Sequence, residues 1–193
     1  VIVGVGGQGV LFLSEAIGQA ALEAGLDVKV AEIHGMAQRG GSVISTVRLG
    51  KQVHSPTVAE GEADMIIALE PIESLRSLQY ANRRTLIIVS TNPIAPPGLY
   101  VSGGKYPDLG SILADLRKVS EKTVAIDTLE LARKAGGSAA QNTVMLGLAS
   151  ASGRLPIEVS VMKKTVAGLT KDKLQELNLK AFDLGFESYQ LAP

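Results

Sequence analysis

The residue types able to do chemistry gather in two stretches of the 193-residue chain. The first is Gly4-Val5-Gly6-Gly7-Gln8-Gly9, a G-x-G-x-x-G spacing. Glycines so placed let backbone N–H groups approach an anionic ligand, and a helix starting there turns its positive end toward it. The second stretch runs from His34 through Gly35, Met36, Ala37, Gln38, Arg39, Gly40 and Gly41 to Ser42. It holds one of the two histidines and follows neither the helical nor the strand period. So much polar chemistry with so much glycine suggests a loop built to touch something. The plainer alternative is a turn-rich connection in which glycine only permits positive φ. Arg39 could clamp a phosphate or a carboxylate, or be an ordinary solvated arginine. Met36 reads as a packing residue. Asn142 stands near the start of a later helix, as a cap or as a ligand contact.

Catalysis by this chain alone has little support. It has no cysteine, which excludes disulfides, thiolate zinc sites, cysteine nucleophiles and iron–sulfur clusters ligated by this chain. His34 and His54 fit no Ser-His-Asp order, and no nucleophile elbow is present. No His, Asp or Glu residues cluster at metal-ligand spacing. Gln8-Gly9-Val10 stands where a P-loop would need its lysine. What remains is a set of binding elements and no catalytic residue. These are the backbone at Gly6, Gly7, Gln8 and Gly9, and the side chains of His34, Gln38, Arg39, Ser42 and Asn142. Gly35, Gly40 and Gly41 shape the second loop. Lysine plus arginine equals aspartate plus glutamate, 19 against 19. That balance argues against nucleic acid as a partner and suggests a surface partly covered by another chain. No apolar run reaches the roughly 20 residues of a membrane helix, so no membrane partner and no signal peptide are expected. A cysteine-free chain suits a reducing compartment, and a cytoplasmic location is expected. The chain opens at Val1 inside an apparent strand, so a starting methionine and a few residues are expected before it.

The elements that must position these residues alternate. Residues 1–5 form a β-branched strand, 10–24 a buried helix ended by Gly25, and 27–34 a second strand with Val28, Val30 and Glu32 on one face. Residues 42–49 alternate as a half-buried strand. Gly50-Lys51 suits a two-residue hairpin turn, with 52–54 as the return strand before Ser55-Pro56. Further strands are expected at 63–69, 85–91 and 123–127, with an edge strand at 99–101 after a proline-rich loop. Helices are expected after Glu70-Pro71, over 108–119 and 128–135, and through most of 140–189. The pattern predicts one domain over 1–193: an α/β three-layer α/β/α sandwich, mostly parallel, with a β-hairpin addition and a helical C-terminus. Only seven residues, 35–41, separate the second and third strands, too few for a parallel crossover. A simple dinucleotide-binding domain has a helix there. Glu32 nevertheless lies about 23 residues past Gly9, where such a fold places its ribose-binding acid. A stand-alone NAD(P)-dependent dehydrogenase and a pure assembly module therefore both stay open.

The two glycine-rich stretches together, followed in order by Ser55-Pro56, Ala63-Asp64, Glu70-Pro71 and Asn142-Thr143-Val144-Met145-Leu146-Gly147, resemble the gamma-type domain of the 2-oxoacid:ferredoxin oxidoreductases. The resemblance covers essentially the whole chain. Pyruvate and 2-oxoglutarate members usually lead into the loop with tyrosine-glycine-proline. The form from His34 to Gly41 is similar instead to the beta subunits of the indolepyruvate branch. The resemblance implies a complex that oxidatively decarboxylates an aryl pyruvate, forms an acyl-coenzyme A and reduces ferredoxin. Thiamine diphosphate and iron–sulfur clusters would belong to the partner subunit, and the isolated chain would be inactive. The glycine loop and the His34–Ser42 loop would lie at the partner or coenzyme A interface. The pyruvate and 2-oxoglutarate branches are the alternatives within the family.

Overall fold

Three short aliphatic runs make the middle of the sheet. They are β1 (Ile2–Val5), β4 (Met65–Ala68) and β5 (Leu86–Ser90), and every residue in them is buried. Unbroken apolar runs mark strands covered on both faces. The computed structural model describes residues 1–35, 40–96, 99 and 103–191. Met36, Gln38, Arg39 and most of the edge strand expected at 99–101 lie outside these residues.

The sheet has six strands in the order β2-β3-β1-β4-β5-β6, with β2 at Asp27–His34, β3 at Ser42–Gly50 and β6 at Lys122–Ile126. The β1–β4, β4–β5 and β5–β6 pairs are parallel, whereas β3 runs antiparallel to both β1 and β2. Side chains alternate between two cores. Ile2, Ile67, Leu86 and Ile88 face one, with helices α1 (Val10–Glu23), α4 (Thr128–Ala135), α5 (Gln141–Ala151), α6 (Val159–Leu169) and α7 (Asp172–Leu191). Val3, Ile66, Ile87 and Val89 face the other, under α2 (Pro71–Arg76) and α3 (Leu109–Val119). The three-layer α/β/α sandwich with a helical C-terminus is as expected. Asp108 and Asp127 cap their helices by accepting from Ser111 N (3.0 Å) and Glu130 N (2.9 Å).

The hairpin is in a different place from the one expected. Gly50-Lys51 is not a hairpin turn, and residues 52–54 form no strand. The hairpin is β2–β3 itself, in register from Asp27↔Gly50 to His34↔Val43, with the glycine-rich stretch as its tip. The reason lies in pairing: β3 is already bonded on both sides, to β2 and β1, so it has no free edge for a return strand. The chain after Gly50 is held by side chains instead. Val53 N donates to Asp27 Oδ2 (2.9 Å), Thr46 Oγ1 donates to Pro56 O (2.9 Å), and Arg48 donates to Thr57 O (3.1 Å).

Helices α5 and α7 cross at backbone contact. A Cβ on Gly147 would lie 2.1 Å from Phe182 O, and one on Gly185 would lie 2.1 Å from Val144 O. This crossing fixes α5, and α5 carries Asn142 at its start.

Candidate functional site

The chain after β1 enters α1 on one face of the sheet, and the chain after β4 enters α2 on the other. The carboxyl ends of these adjacent strands are thus a topological switch point, the usual place for a crevice in an open α/β sheet. The glycine loop sits there. Its residues have separate tasks. A Cβ on Gly4 would lie 2.9 Å from Gln8 Oε1, 3.0 Å from Val10 and 3.2 Å from Leu69, so Gly4 permits close packing. Gln8 is spent internally: its Oε1 accepts from Val5 N (2.8 Å) and its Nε2 donates to Leu69 O (2.8 Å), tying the loop to the end of β4. Gly7 (φ 100°) is exposed, and Gly9 (φ 82°) is the N-cap residue of α1. No side chain caps that helix, and its first internal bond is Leu13 N to Gly9 O (3.2 Å). Its first-turn amides are therefore outside the helical ladder. Asn142 lies directly over this end, with Nδ2 2.3 Å from where a Gly9 Cβ would be. Asn142 Oδ1 accepts from Thr143 N (2.8 Å), which makes it both a cap-like residue and a neighbour of the loop.

The hairpin tip closes over the same loop. Gly6 N donates to Gly41 O (2.8 Å), Gly40 N donates to Gly6 O (3.3 Å), and Gly35 N donates to Ser42 O (3.4 Å). Gly6, Gly7, Gln8, Gly9, Gly35, Gly40, Gly41, Ser42 and Asn142 are thus gathered at one end of the sheet, with His34 exposed in the last hairpin pair. His54 lies beyond the opposite end of the hairpin, past Gly50, so the two histidines do not meet. Gln38 and Arg39 belong to the part of the tip outside the described residues. Glu32 serves no crevice: it is exposed on the edge strand, two strand spacings of about 5 Å each from β1, and Oε1 accepts from Ser14 Oγ (3.2 Å).

Two buried carboxylates at the start of α2 carry no mark of burial in the sequence, and one of them reaches Ser42. Glu70 is 1% exposed and caps α2, with Oε2 accepting from Glu73 N (3.0 Å). Its Oε1 accepts from Tyr106 Oη (2.5 Å) and from Ile94 N (3.2 Å). Glu73 is 2% exposed; Oε2 accepts from Ser42 Oγ (2.5 Å) and Oε1 pairs with Arg76 (2.7 Å). A glutamate three residues past a cap is a helix-start signature, but it says nothing of burial. Burial, and then the Glu70 carboxylate, push the Tyr106 phenol well above the usual tyrosine range. Asn92 forms a second hub. Its Oδ1 accepts from Ser90 Oγ (2.9 Å), Leu129 N (2.9 Å) and Gln141 Nε2 (3.3 Å), and its Nδ2 donates to Asp127 Oδ1 (2.9 Å). It ties β5 and α4 to the first residue of α5, next to Asn142. The arrangement offers oriented donors and glycine backbone, and among the described residues no cluster could hold a metal ion.

The family described as pyruvate ferredoxin/flavodoxin oxidoreductase matches residues 1–188. The indolepyruvate oxidoreductase subunit IorB of Archaeoglobus fulgidus is 44% identical over 186 residues, covering 96% of this chain and 92% of that one. Among solved structures, the keto/oxoacid ferredoxin oxidoreductase gamma subunit of Geobacter sulfurreducens superposes with a TM-score of 0.70 at 21% identity, covering 99% of this chain and 97% of that one. The 2-oxoglutarate:ferredoxin oxidoreductase of Magnetococcus marinus, solved with 2-oxoglutarate, coenzyme A and succinyl-CoA bound, gives 0.69 at 20% identity. There the match covers 98% of this chain and 30% of the longer one. At these identities the two structures establish the fold. The sequence matches establish more: the chain belongs to the pyruvate ferredoxin/flavodoxin oxidoreductase family.

Proposed function

We propose that this chain is the cluster-free subunit of a heteromeric indolepyruvate:ferredoxin oxidoreductase. The observation that carries the reading is the 44% identity to an indolepyruvate oxidoreductase subunit over nearly the full length of both chains. In the reaction an aryl pyruvate loses carbon dioxide, its acyl carbon is joined to the coenzyme A thiol, and two electrons pass to ferredoxin with release of a proton. Iron–sulfur clusters do not fit this chain, which has no cysteine. They and thiamine diphosphate belong to the partner subunit in this reading. Use of coenzyme A and ferredoxin makes the cytoplasm its place of work.

This chain's own part is contact. The open first turn of α1, the exposed Gly7, and the Asn142 amide present donors toward negative charge. In sequence, Gln38 and Arg39 fall between His34 and Ser42 and bring an amide and a guanidinium to this stretch. Gly6, Gly40 and Gly41 let tip and loop backbones touch, and Gly35 and Ser42 close the hairpin. The face so formed meets the partner subunit or a phosphate of coenzyme A.

The test is co-expression with the cluster-bearing subunit of the same complex. Purified complex should reduce ferredoxin only with coenzyme A present, and indolepyruvate should outperform pyruvate and 2-oxoglutarate. A chain that fails to co-purify with that subunit, or that alone binds NADH tightly and saturably, would overturn the reading. Preference for pyruvate or 2-oxoglutarate would move it to another branch of the family.

A further inference from the structure

We infer that Glu73 is a positioning residue, whose buried carboxylate latches Ser42, and through it Gly41 and the glycine loop at Gly6, in the geometry in which the contact face works. The inference rests on the reading of the hairpin tip as a contact loop. A buried carboxylate is costly unless its oxygens are satisfied. A six-residue helix needs no second glutamate for its cap, because Glu70 already accepts from Glu73 N. Glu73 spends its oxygens elsewhere. Oε1 takes the counter-charge of Arg76, and Oε2 takes the hydroxyl of Ser42, 31 residues away. Ser42 follows directly on Gly41, whose carbonyl accepts from Gly6 N (2.8 Å). One unbroken path therefore joins the first turn of α2, the root of the tip and the glycine loop. Without it, the bonds from Gly40 and Gly41 to the glycine loop are backbone bonds at glycines, which restrain torsion least.

Glu70 gives the comparison within the same helix turn. Its carboxylate holds the loop on the other side of α2, through Ile94 and Tyr106. The two glutamates thus fix the two loops flanking α2, and only Glu73 reaches the candidate site.

The test uses the assembled complex with Ser42→Ala, Ser42→Thr, Glu73→Gln and the Ser42→Ala/Glu73→Gln double variant, and Arg39→Ala in parallel. Ser42 is exposed, so its variants should fold. Loss of a hydrogen bond to a charged acceptor should raise the KM for coenzyme A, or the subunit concentration for half-maximal assembly, about tenfold. The Tm of the subunit should fall by a few degrees, as expected for one hydrogen bond lost from a buried carboxylate. Ser42→Thr keeps the hydroxyl and should restore the parent value. The double variant should be no worse than the worse single variant, since both remove one contact. Unchanged KM and assembly in Ser42→Ala while Arg39→Ala weakens either one would overturn the latch and leave the contact loop standing. No effect from either variant would overturn both. Additive losses in the double variant would also overturn the latch, since the residues would then act separately.

Discussion

The α5–α7 crossing offers a test in which two glycine-to-alanine changes have opposite signs. Alanine is favoured over glycine in a helix by about 1 kcal/mol, so either change should stabilise if nothing else acts. At Gly147 something else does. Its Cβ would lie 2.1 Å from Phe182 O and 2.9 Å from Phe186 N, both backbone atoms of α7 that no rotamer change can move. Ordinary carbon–oxygen contact is above 3 Å, so the helices must part by about 1 Å. Phe182 and Met145, both fully buried, would lose packing. Overpacking of this kind costs roughly 3 kcal/mol, which leaves a net loss of about 2 kcal/mol after the helical gain. For a domain of this size that is a fall in Tm of roughly 4–8 °C. Gly168, in α6, has no atom within 4 Å of its would-be Cβ. Gly168→Ala should therefore raise Tm by about 2 °C. Thermal unfolding followed by circular dichroism reads both. A Gly147→Ala variant as stable as the parent would refute the close crossing, and a fall in Gly168→Ala would refute the propensity half of the reasoning.

Gly9→Ala combines a φ of 82° with a 2.3 Å approach to Asn142 Nδ2; denaturant unfolding should show a loss of about 2 kcal/mol, and coenzyme A-dependent activity of the complex should fall with it. Tyr106 should ionise later than an ordinary tyrosine in an absorbance titration, and Tyr106→Phe should remove that late phase. Because the folded-state pKa is raised, this phenol's contribution is present below about pH 10 and is lost as pH rises further. Asp127 has the opposite sign. Bonds from Glu130 N and Asn92 hold its carboxyl below the usual range, so its contribution is present above about pH 4 and lost as pH falls. The acid limb of a stability–pH curve should be shallower in Asp127→Ala than in the parent.

The fully buried strands were legible because β1, β4 and β5 are continuous aliphatic runs, and the amphipathic α3 because Ile112 and Leu116 fall one turn apart. The hairpin was misplaced because Gly50-Lys51 carries local turn chemistry, whereas the true turn depends on β3 being paired to β1, 40 residues back in the chain. Alternation within β3 cannot say how many neighbours it has. The site divides the same way. Gly4, Gly6 and Gly9 are visible as a spacing, since each answers a local demand on backbone. Glu70 and Glu73 look like any helix start, and only tertiary packing buries them. Gln8 resembled a ligand group in sequence, but both ends of its amide are consumed by Val5 and Leu69.

The same insertion of β3 explains why a dinucleotide-like beginning leads elsewhere. In a plain doubly wound fold the second strand lies beside the first, and its terminal acid reaches the ribose of a ligand held by the glycine turn. Here an antiparallel strand stands between them, and Glu32 is carried to the sheet edge, where it meets Ser14. The insertion also brings the hairpin tip back over β1, so that Gly6 exchanges hydrogen bonds with Gly40 and Gly41 rather than offering its amide to a ligand. The crevice end of the sheet is thus partly filled from within. What stays open is the first turn of α1, beside Asn142 and the exposed Gly7.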